Sequence, residues 1–277
     1  MPPILLGDLQ LQLDRLLIEL LKGLNPADWS RPTIAGQWTI KDVVAHLLDG
    51  SMRNLSMLRD GHFGKDKPTS ESYADLVQFL NQLNADWIKA TQRLSPQLLV
   101  ELNERYAIDY ANYLASRPPY EQAPFSVAWA GEDASMNWFH IAREYTERWH
   151  HQQQIRLALG QDQDSPILSP EFYQPYLDTS FRGLPHHYRH TAAKNQCVQF
   201  TVTGVDQRWF LSVAEDQVWR LSLTNDVKVD CAVTIPSTLA WRIFSKGISR
   251  REAEQKITIS GMKDLGLPIL TLVAVMA

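Results

Sequence analysis

The sequence predicts a two-domain protein in which a helical bundle is followed by a small domain of mixed helices and strands. The first 160 residues contain long segments whose apolar positions recur every three to four residues, the period of a helix with one buried face. After residue 195, short β-branched runs are separated by polar turns, as in a small sheet. A polar stretch at residues 161–170 lies between these regions. We therefore expect a helical domain at 1–165, a connecting helix and linker at 166–195, and an α+β domain at 196–277.

The composition is that of an ordinary globular protein. The 277 residues are 44% apolar and 21% charged, which is enough for two hydrophobic cores. A net charge of −4 argues against a nucleic-acid partner. The two cysteines predict reduced thiols and a cytoplasmic location. No basic segment precedes the first apolar residues and the last apolar run is short, so we expect neither a signal peptide nor a membrane partner.

Four helices are predicted before residue 115. A wide stripe of leucines indicates the first at residues 8–24. The second begins at Thr39, which with Asp42 forms a variant of the capping box, and continues to about residue 59. The third spans about 72–94, and a fourth starts at Pro96 and reaches at least residue 102. The interval at 115–129 is irregular, and its aromatic residues are expected to pack in the core or line a pocket.

A fifth helix is predicted from about residue 133 to residue 159, before Gly160. His140, Glu144, Glu147 and His151 are spaced so that they fall on one face of this helix. Charged groups on a face that should be buried are costly unless they are paired or bind a metal. The spacing therefore makes this face a candidate metal site.

The second helix offers a further ligand, because His46 lies at the edge of its apolar stripe. Together with Glu147 and His151 it would form a three-ligand metal site with open positions, the arrangement of catalytic rather than structural sites. Two alternatives stay open on the residues alone. His46 could be a hydrogen-bonded core histidine, and Glu147 with His151 could be a surface pair. His150 lies about 100° around the helix and is expected to face solvent or to support the ligands.

The two helical segments resemble the signature of the DinB-like metalloprotein superfamily, and within it the mycothiol-dependent maleylpyruvate isomerase group. That group has a Trp-(Ser/Thr)-x-x-Asp-x-x-x-His-Leu pattern on one helix and Glu-x-Trp-x-His-x-x-(Asp/Gln)-(Ile/Leu) on another. The matching residues here are Trp38, Thr39, Asp42, His46, Leu47, Glu147, Trp149, His151, Gln154 and Ile155. The resemblance implies a DinB-like four-helix bundle in which His46, Glu147 and His151 bind a divalent metal ion, most often zinc.

Other residues are expected to support these ligands rather than bind the metal. Ligating groups usually need hydrogen-bonded partners, and the candidates are Asp42, His140, Glu144 and Gln154. Trp38 and Trp149 are expected to pack nearby. A second histidine cluster, His186 to His190, has no adjacent acidic residue and is predicted to lie at the surface or at the rim of a pocket.

The C-terminal elements resemble the sterol-carrier-protein-like α+β domain that follows the bundle in this group. The predicted strands form an antiparallel meander at residues 198–235, followed by a helix at 237–244, a strand at 256–259 and a closing helix at 265–275. The resemblance implies a Gly-Arg pair after the first helix, but this chain has Gly247-Ile248. Arg242, Arg250 and Arg251 lie nearby and are candidates for binding an acidic substrate.

The resemblance implies a metal- and thiol-dependent isomerase or S-transferase that acts on a small electrophilic substrate. Mycothiol or an analogous low-molecular-weight thiol would be the cosubstrate, and no residue is assigned to the chemical step itself. A metal-dependent hydrolase and a non-catalytic metal- or ligand-binding module are the alternatives. Two histidines and a carboxylate also match the ligands of non-haem iron oxygenases, although those usually occur on β-barrels.

Overall fold

A computed structural model describes residues 1–70, 72–191 and 193–275, and within them the chain packs as two compact units. The helical unit comprises Leu6–Pro124 and Glu147–Ser165. The sheet unit comprises Met1–Leu5, Phe125–Thr146 and Pro166–Val275. These two units do not test the domain limits expected from the sequence, which stay a prediction. Residue 192 of the expected linker and residues 276 and 277 of the expected α+β domain lie outside the described parts of the chain.

The helical unit confirms the helical N-terminal region. Its helices are α1 (Leu9–Lys22), α2 (Ile40–Asn54), α3 (Tyr73–Thr91), α4 (Pro96–Ala115) and the second half of α5 (Asn137–Ala158). A π-helical turn, Leu55–Arg59, extends α2 to the end predicted for it. Helix α4 is thirteen residues longer than the minimum expected at residue 102, and α5 starts four residues later than expected. The assignment of a four-helix bundle stays a prediction.

Local sequence signals explain where these helices begin and end. Thr39 and Asp42 form a reciprocal capping box at the start of α2, as the sequence predicts. Ser72 and Ser95 accept backbone hydrogen bonds at the starts of α3 and α4. After α5, Gly160 has φ +73°, a left-handed conformation that glycine adopts without the steric cost of a Cβ.

Apolar residues from α1, α2, α4 and α5, together with Trp29 from the segment before α2, form the core of the helical unit. Its buried members are Leu17, Ile18, Leu21, Trp29, Ile40, Val43, Val44, Ala45, Leu47, Leu48, Leu99, Val100 and Ile155. Hydrogen bonds from neighbouring helices tie α2 into this core, because Trp87 Nε1 donates to the carbonyl of Ala45 (2.8 Å) and Asn103 Nδ2 to that of Val44 (3.2 Å). Helix α2, which carries His46, is therefore held from several sides.

The sheet unit contains one mixed sheet in the order β3-β2-β1-β4-β5 over the residues described. Its strands are β1 (Gln196–Val202), β2 (Arg208–Val213), β3 (Trp219–Ser222), β4 (Cys231–Ile235) and β5 (Thr258–Gly261). Strands β1 to β3 form the expected antiparallel meander. The expectation that the fourth strand continues it was wrong, because β4 crosses over and pairs with β1 in parallel.

The helices of this unit are α6 (Pro170–Phe181), α7 (Leu184–Tyr188), α8 (Ser237–Phe244), α9 (Arg250–Glu254) and α10 (Lys263–Gly266). The connecting helix and α8 were both expected from the sequence. The single closing helix expected at 265–275 was wrong, because α10 is followed by a 3-10 turn at Leu267–Thr271 and then by irregular chain. Pro268 lacks the backbone N–H that a continuing α-helix would use.

Aromatic rings from helices and strands make up the core of the sheet unit. Phe181 of α6 stacks on Trp209 of β2 with ring centroids 4.3 Å apart, and it also meets Phe200 and Phe244. Trp209 donates from Nε1 to the partly buried carboxylate of Asp178 (2.8 Å). Both cysteines are free and buried, as expected. Of the helices in the described residues, none has the length and apolar character needed to cross a membrane.

Candidate metal centre

The carboxylate of Glu147 and the imidazoles of His46 and His151 meet in the helical unit. Oε1 of Glu147 accepts a hydrogen bond from Nε2 of His46 (3.0 Å) and another from Nε2 of His151 (3.1 Å). The ring centroids of the two histidines are 4.8 Å apart. One potential ligand atom from each residue lies within 4.8 Å of the others. Two imidazole nitrogens and a carboxylate oxygen are a donor set that catalytic zinc sites use.

Helix geometry explains how these groups come together. Glu147 and His151 are four residues apart on α5, so their side chains lie one above the other on the same face. His46 reaches them from α2, a helix fixed at its start by the capping box and along its length by the core. The imidazoles are mostly buried, with 11% of the His46 side chain and 7% of the His151 side chain exposed, whereas Glu147 keeps 37% exposed.

The charges at this cluster favour an ionised carboxylate beside a neutral imidazole. Burial by itself would raise the pKa of Glu147, but the neighbouring histidines outweigh it and hold that pKa well below its usual range. Burial lowers the pKa of His46, and the hydrogen bond to Glu147 only partly opposes this effect. A neutral imidazole and a carboxylate anion are the protonation states that a metal ligand requires.

Gln154 and Trp38 lie next to these three residues. Oε1 of Gln154 lies 2.8 Å from Nδ1 of His151, within hydrogen-bond distance. The role expected for Gln154, support of a metal ligand, stays a prediction. The indole of Trp38 is 4.9 Å from the His46 ring and 6.3 Å from the His151 ring, centroid to centroid. Trp38 is thus an aromatic neighbour of both imidazoles. Trp149, also expected to pack nearby, is fully buried.

His150 lies closer to the cluster than the sequence suggested. Only 4% of this residue is exposed, so the expectation of a solvent-facing side chain was wrong; the alternative, a supporting position, agrees with its burial. Its ring centroid is 4.2 Å from that of His151, and its Nε2 lies 4.0 Å from Oε2 of Glu147. Helical phasing placed His150 on another face but could not show that this face is also covered.

The other residues expected to support the ligands have different partners. The carboxylate of Asp42 accepts from the backbone N–H (2.9 Å) and hydroxyl (2.7 Å) of Thr39, so it stabilises the start of α2. His140 and Glu144 both contact Arg143, at 2.9 and 2.7 Å, in the part of α5 that belongs to the sheet unit. Direct support of the three ligands by Asp42, His140 or Glu144 therefore stays a prediction.

The arginines and the second histidine cluster are found in the sheet unit. Arg242 is partly buried and donates from Nε to the carbonyl of Gly247 (3.1 Å), whereas Arg250 and Arg251 are exposed at the start of α9.

In the second histidine cluster, His187 donates to the carbonyl of Pro268 (2.8 Å). His186 packs against Gly131, where a side chain would collide with the imidazole and where φ is +82°, a conformation that favours glycine. His186 and His187 therefore have packing contacts, whereas His190 is exposed.

Comparisons with known proteins agree with the resemblance found in the sequence. Residues 11–156 match the family described as the mycothiol maleylpyruvate isomerase N-terminal domain. Two crystal structures of the mycothiol-dependent maleylpyruvate isomerase, one of them of a histidine-to-alanine mutant, have the same fold with a TM-score of 0.53. The mutant structure is 12% identical in sequence to this chain and the other structure is 13% identical. Each alignment covers 94% of this chain and 96% of the other chain. No curated protein matches the sequence.

Proposed function

Because the chain belongs to the family of the mycothiol maleylpyruvate isomerase N-terminal domain, we propose that it binds a divalent metal ion and catalyses a thiol-dependent reaction. The ligands are His46, Glu147 and His151, and the metal we propose is zinc, because zinc commonly binds this donor set. The single observation that carries this proposal is the convergence of three ligand atoms within 4.8 Å from two helices. The sulfur of a low-molecular-weight thiol, mycothiol or an analogue, is the second reactant.

The protonation states at the cluster are compatible with a bound cation. The neighbouring histidines hold Glu147 ionised, and burial disfavours the charged form of His46. When bound, a divalent ion supplies Lewis acidity, which lowers the pKa of a coordinated water or thiol toward neutrality. Three protein ligands leave coordination positions for such a group, as in catalytic zinc sites.

The residues of the chain have distinct roles in this proposal. Glu147 contributes the anionic ligand and both histidines contribute neutral ones, so part of the ion's charge stays uncompensated and available to the reactants. Gln154 holds the His151 ring through Nδ1, and Trp38 packs beside the His46 ring. Arg242, Arg250 and Arg251 are proposed to contact an anionic substrate, but the metal centre does not depend on them.

The reaction we propose is an isomerisation or an S-transfer on a small electrophile. In the isomerisation, the thiolate forms a C–S bond at one carbon of a cis double bond conjugated to a carbonyl, and the π electron pair moves onto the carbonyl oxygen to give an enolate. The remaining single bond rotates, the electron pair returns to form the trans double bond, and the C–S bond breaks to release the same thiolate. In an S-transfer the C–S bond is kept and a proton completes the adduct. The alternatives are a hydrolase, in which water replaces the thiol, and a module that binds metal or ligand without turnover.

An activity screen of the zinc-loaded protein tests this proposal. Maleylpyruvate-like substrates and other small electrophiles are offered with mycothiol, bacillithiol, glutathione or no thiol, before and after chelation. We expect turnover that requires a thiol and disappears when the metal is removed. Turnover without thiol would indicate a hydrolase, and tight ligand binding with no turnover in any arm would indicate a binding module. The His46→Ala variant should be inactive, whereas His62→Ala, which changes an exposed histidine, should match the wild type.

A further inference from the structure

The two imidazoles of the candidate metal centre differ in how their second nitrogen is held. On His151, Nδ1 lies 2.8 Å from Oε1 of Gln154, the residue three positions further along α5. On His46, Nε2 faces Glu147, and Nδ1 is buried without a hydrogen-bond partner in the described parts of the chain. A buried, unpaired imidazole nitrogen is costly, so this atom requires an explanation.

Asp49 occupies the position on α2 that corresponds to Gln154 on α5. It lies three residues after His46, one helical turn further on, and only 9% of the residue is exposed. Its Oδ2 is 3.3 Å from Nη2 of Arg53, but this atom makes no hydrogen bond within the described residues. The carboxylate therefore keeps a free acceptor in a buried position.

Electrostatics indicate that Asp49 and His46 lie near one another. Burial raises the pKa of Asp49, and the charges of Arg53 and then His46 oppose this rise. This proximity is expected for a carboxylate one turn away from an imidazole on the same helix.

We propose that Asp49 is the positioning residue of His46 and accepts a hydrogen bond from its Nδ1–H when Nε2 acts as a metal ligand. This inference rests on the proposed metal centre. A ligating nitrogen carries no proton, so a neutral His46 that binds through Nε2 carries its proton on Nδ1 and needs an acceptor there. Asp49 then fixes the tautomer and the ring orientation of one imidazole, as Gln154 does for the other.

Zinc affinity of variants tests this role, with Arg53 as the matched control. Asp49→Ala removes both the acceptor and the Asp49–Arg53 ion pair, whereas Arg53→Gln breaks the same ion pair and leaves the carboxylate in place. Competition with a chromophoric chelator should show zinc binding weakened about tenfold or more by Asp49→Ala, the usual effect of losing such a partner. Arg53→Gln should bind zinc as the wild type does, and Asp49→Asn, which keeps an acceptor oxygen, should lose less than Asp49→Ala.

A spectroscopic readout separates positioning from general stability. In the zinc-loaded wild type, the Nδ1–H of His46 should give a slowly exchanging proton resonance in an ¹⁵N-edited NMR spectrum, absent from His46→Ala. Asp49→Ala should remove this resonance or shift it, and Arg53→Gln should not. Equal losses of zinc affinity in Asp49→Ala and Arg53→Gln, or wild-type affinity and resonance in Asp49→Ala, would overturn the inference. A wild type that binds no zinc would instead overturn the proposed function on which it rests.

Discussion

At the scale of single residues, Glu147 determines the charge of the candidate site. One of its oxygens receives hydrogen bonds from two imidazoles, and a third imidazole lies 4.0 Å from the other oxygen. These neighbours keep the carboxylate ionised although burial alone would favour its neutral form. An anion held in this way attracts a cation, and the two nearest imidazoles can share that cation with it.

Replacement of Glu147 by glutamine tests this assignment directly. The amide is nearly isosteric but neutral, so we expect zinc affinity to fall by more than about tenfold, or about 1.4 kcal/mol. Isothermal titration in the presence of a competing chelator measures the change. Glu104→Gln, which alters an exposed glutamate paired with Lys22, is the control and should leave the affinity unchanged. Equal affinities for Glu147→Gln and the wild type would exclude Glu147 as a ligand.

The lowered pKa of His140 predicts how the free energy of unfolding depends on pH. Burial, with Arg143 nearby, lowers its pKa to about 4 from 6.5, and the guanidinium of Arg143 donates to its Nδ1 (2.9 Å), which requires a neutral ring. Because the folded pKa lies below the unfolded one, this contribution to stability is complete above about pH 6.5 and is lost as the pH falls toward 4. Between pH 7 and pH 5 the loss should be about 2 kcal/mol.

Urea unfolding at the two pH values measures this effect. The His140→Gln variant cannot gain a proton at this position, so its free energy of unfolding should fall less between pH 7 and pH 5 than that of the wild type. The exposed His62 provides the control, because His62→Gln should keep the full pH dependence. A wild type and a His140→Gln variant with the same dependence would contradict the assignment.

Sequence periodicity indicates part of the candidate ligand set, but not its surroundings. The i,i+4 spacing puts Glu147 and His151 on one helix face, whereas their grouping with His46, a hundred residues away, was implied by the family resemblance. The burial of His150 depends on packing by residues distant in sequence, which periodicity does not encode. The position of Asp49 could have been recognised from the sequence as one that supports His46. Asp49 lies three residues after His46, just as Gln154 lies three residues after His151.

At the scale of elements, α2 carries His46 and depends on its first turn for stability. The Thr39 hydroxyl accepts from the backbone N–H of Asp42, and the Asp42 carboxylate accepts from that of Thr39. Thr39→Ala should lower the free energy of unfolding by about 1 kcal/mol, whereas Thr39→Ser keeps the cap and should cost much less. Chemical denaturation of the metal-free protein measures both. An alanine variant as stable as the serine variant would contradict the contribution of the cap.

Elements defined by local patterns were predicted better than elements that depend on distant partners. Strand β2 and helix α8 have the limits expected from their apolar pattern. The parallel pairing of β4 with β1 is non-local, and no short pattern distinguishes it from a continued meander. The length of helix α4 was underestimated because polar residues interrupt its apolar pattern, although its buried stripe continues with helical spacing. Its buried members are Leu99, Val100, Asn103, Ala107, Tyr110, Ala111 and Leu114.

At the scale of the whole molecule, the three candidate ligands belong to a single unit. His46 and the Glu147–Ser165 segment both lie in the helical unit, although about a hundred residues separate them in the chain. A cation bound there would link α2 to α5 and stabilise the folded state, because the unfolded chain has no such cluster. Metal binding and folding should therefore be coupled.

Thermal unfolding tests this coupling. At a free zinc concentration one hundred times the dissociation constant, the folded state should gain about 2.7 kcal/mol, and the melting temperature should rise accordingly. Addition of a chelator should reverse the rise. A double variant His46→Ala, His151→Ala should show no rise with zinc, and the His62→Ala variant should respond as the wild type does. A zinc-induced rise that persists in the double variant would place the stabilising ion elsewhere.

Metal stoichiometry tests the central claim most directly. Elemental analysis of the purified protein, after dialysis to remove loosely bound ions, should find about one equivalent of a divalent metal per chain, and the His46→Ala, His151→Ala double variant should retain almost none. A wild type without metal even after incubation with zinc, or a double variant with the same one equivalent, would contradict the assignment of His46, Glu147 and His151 as a metal centre.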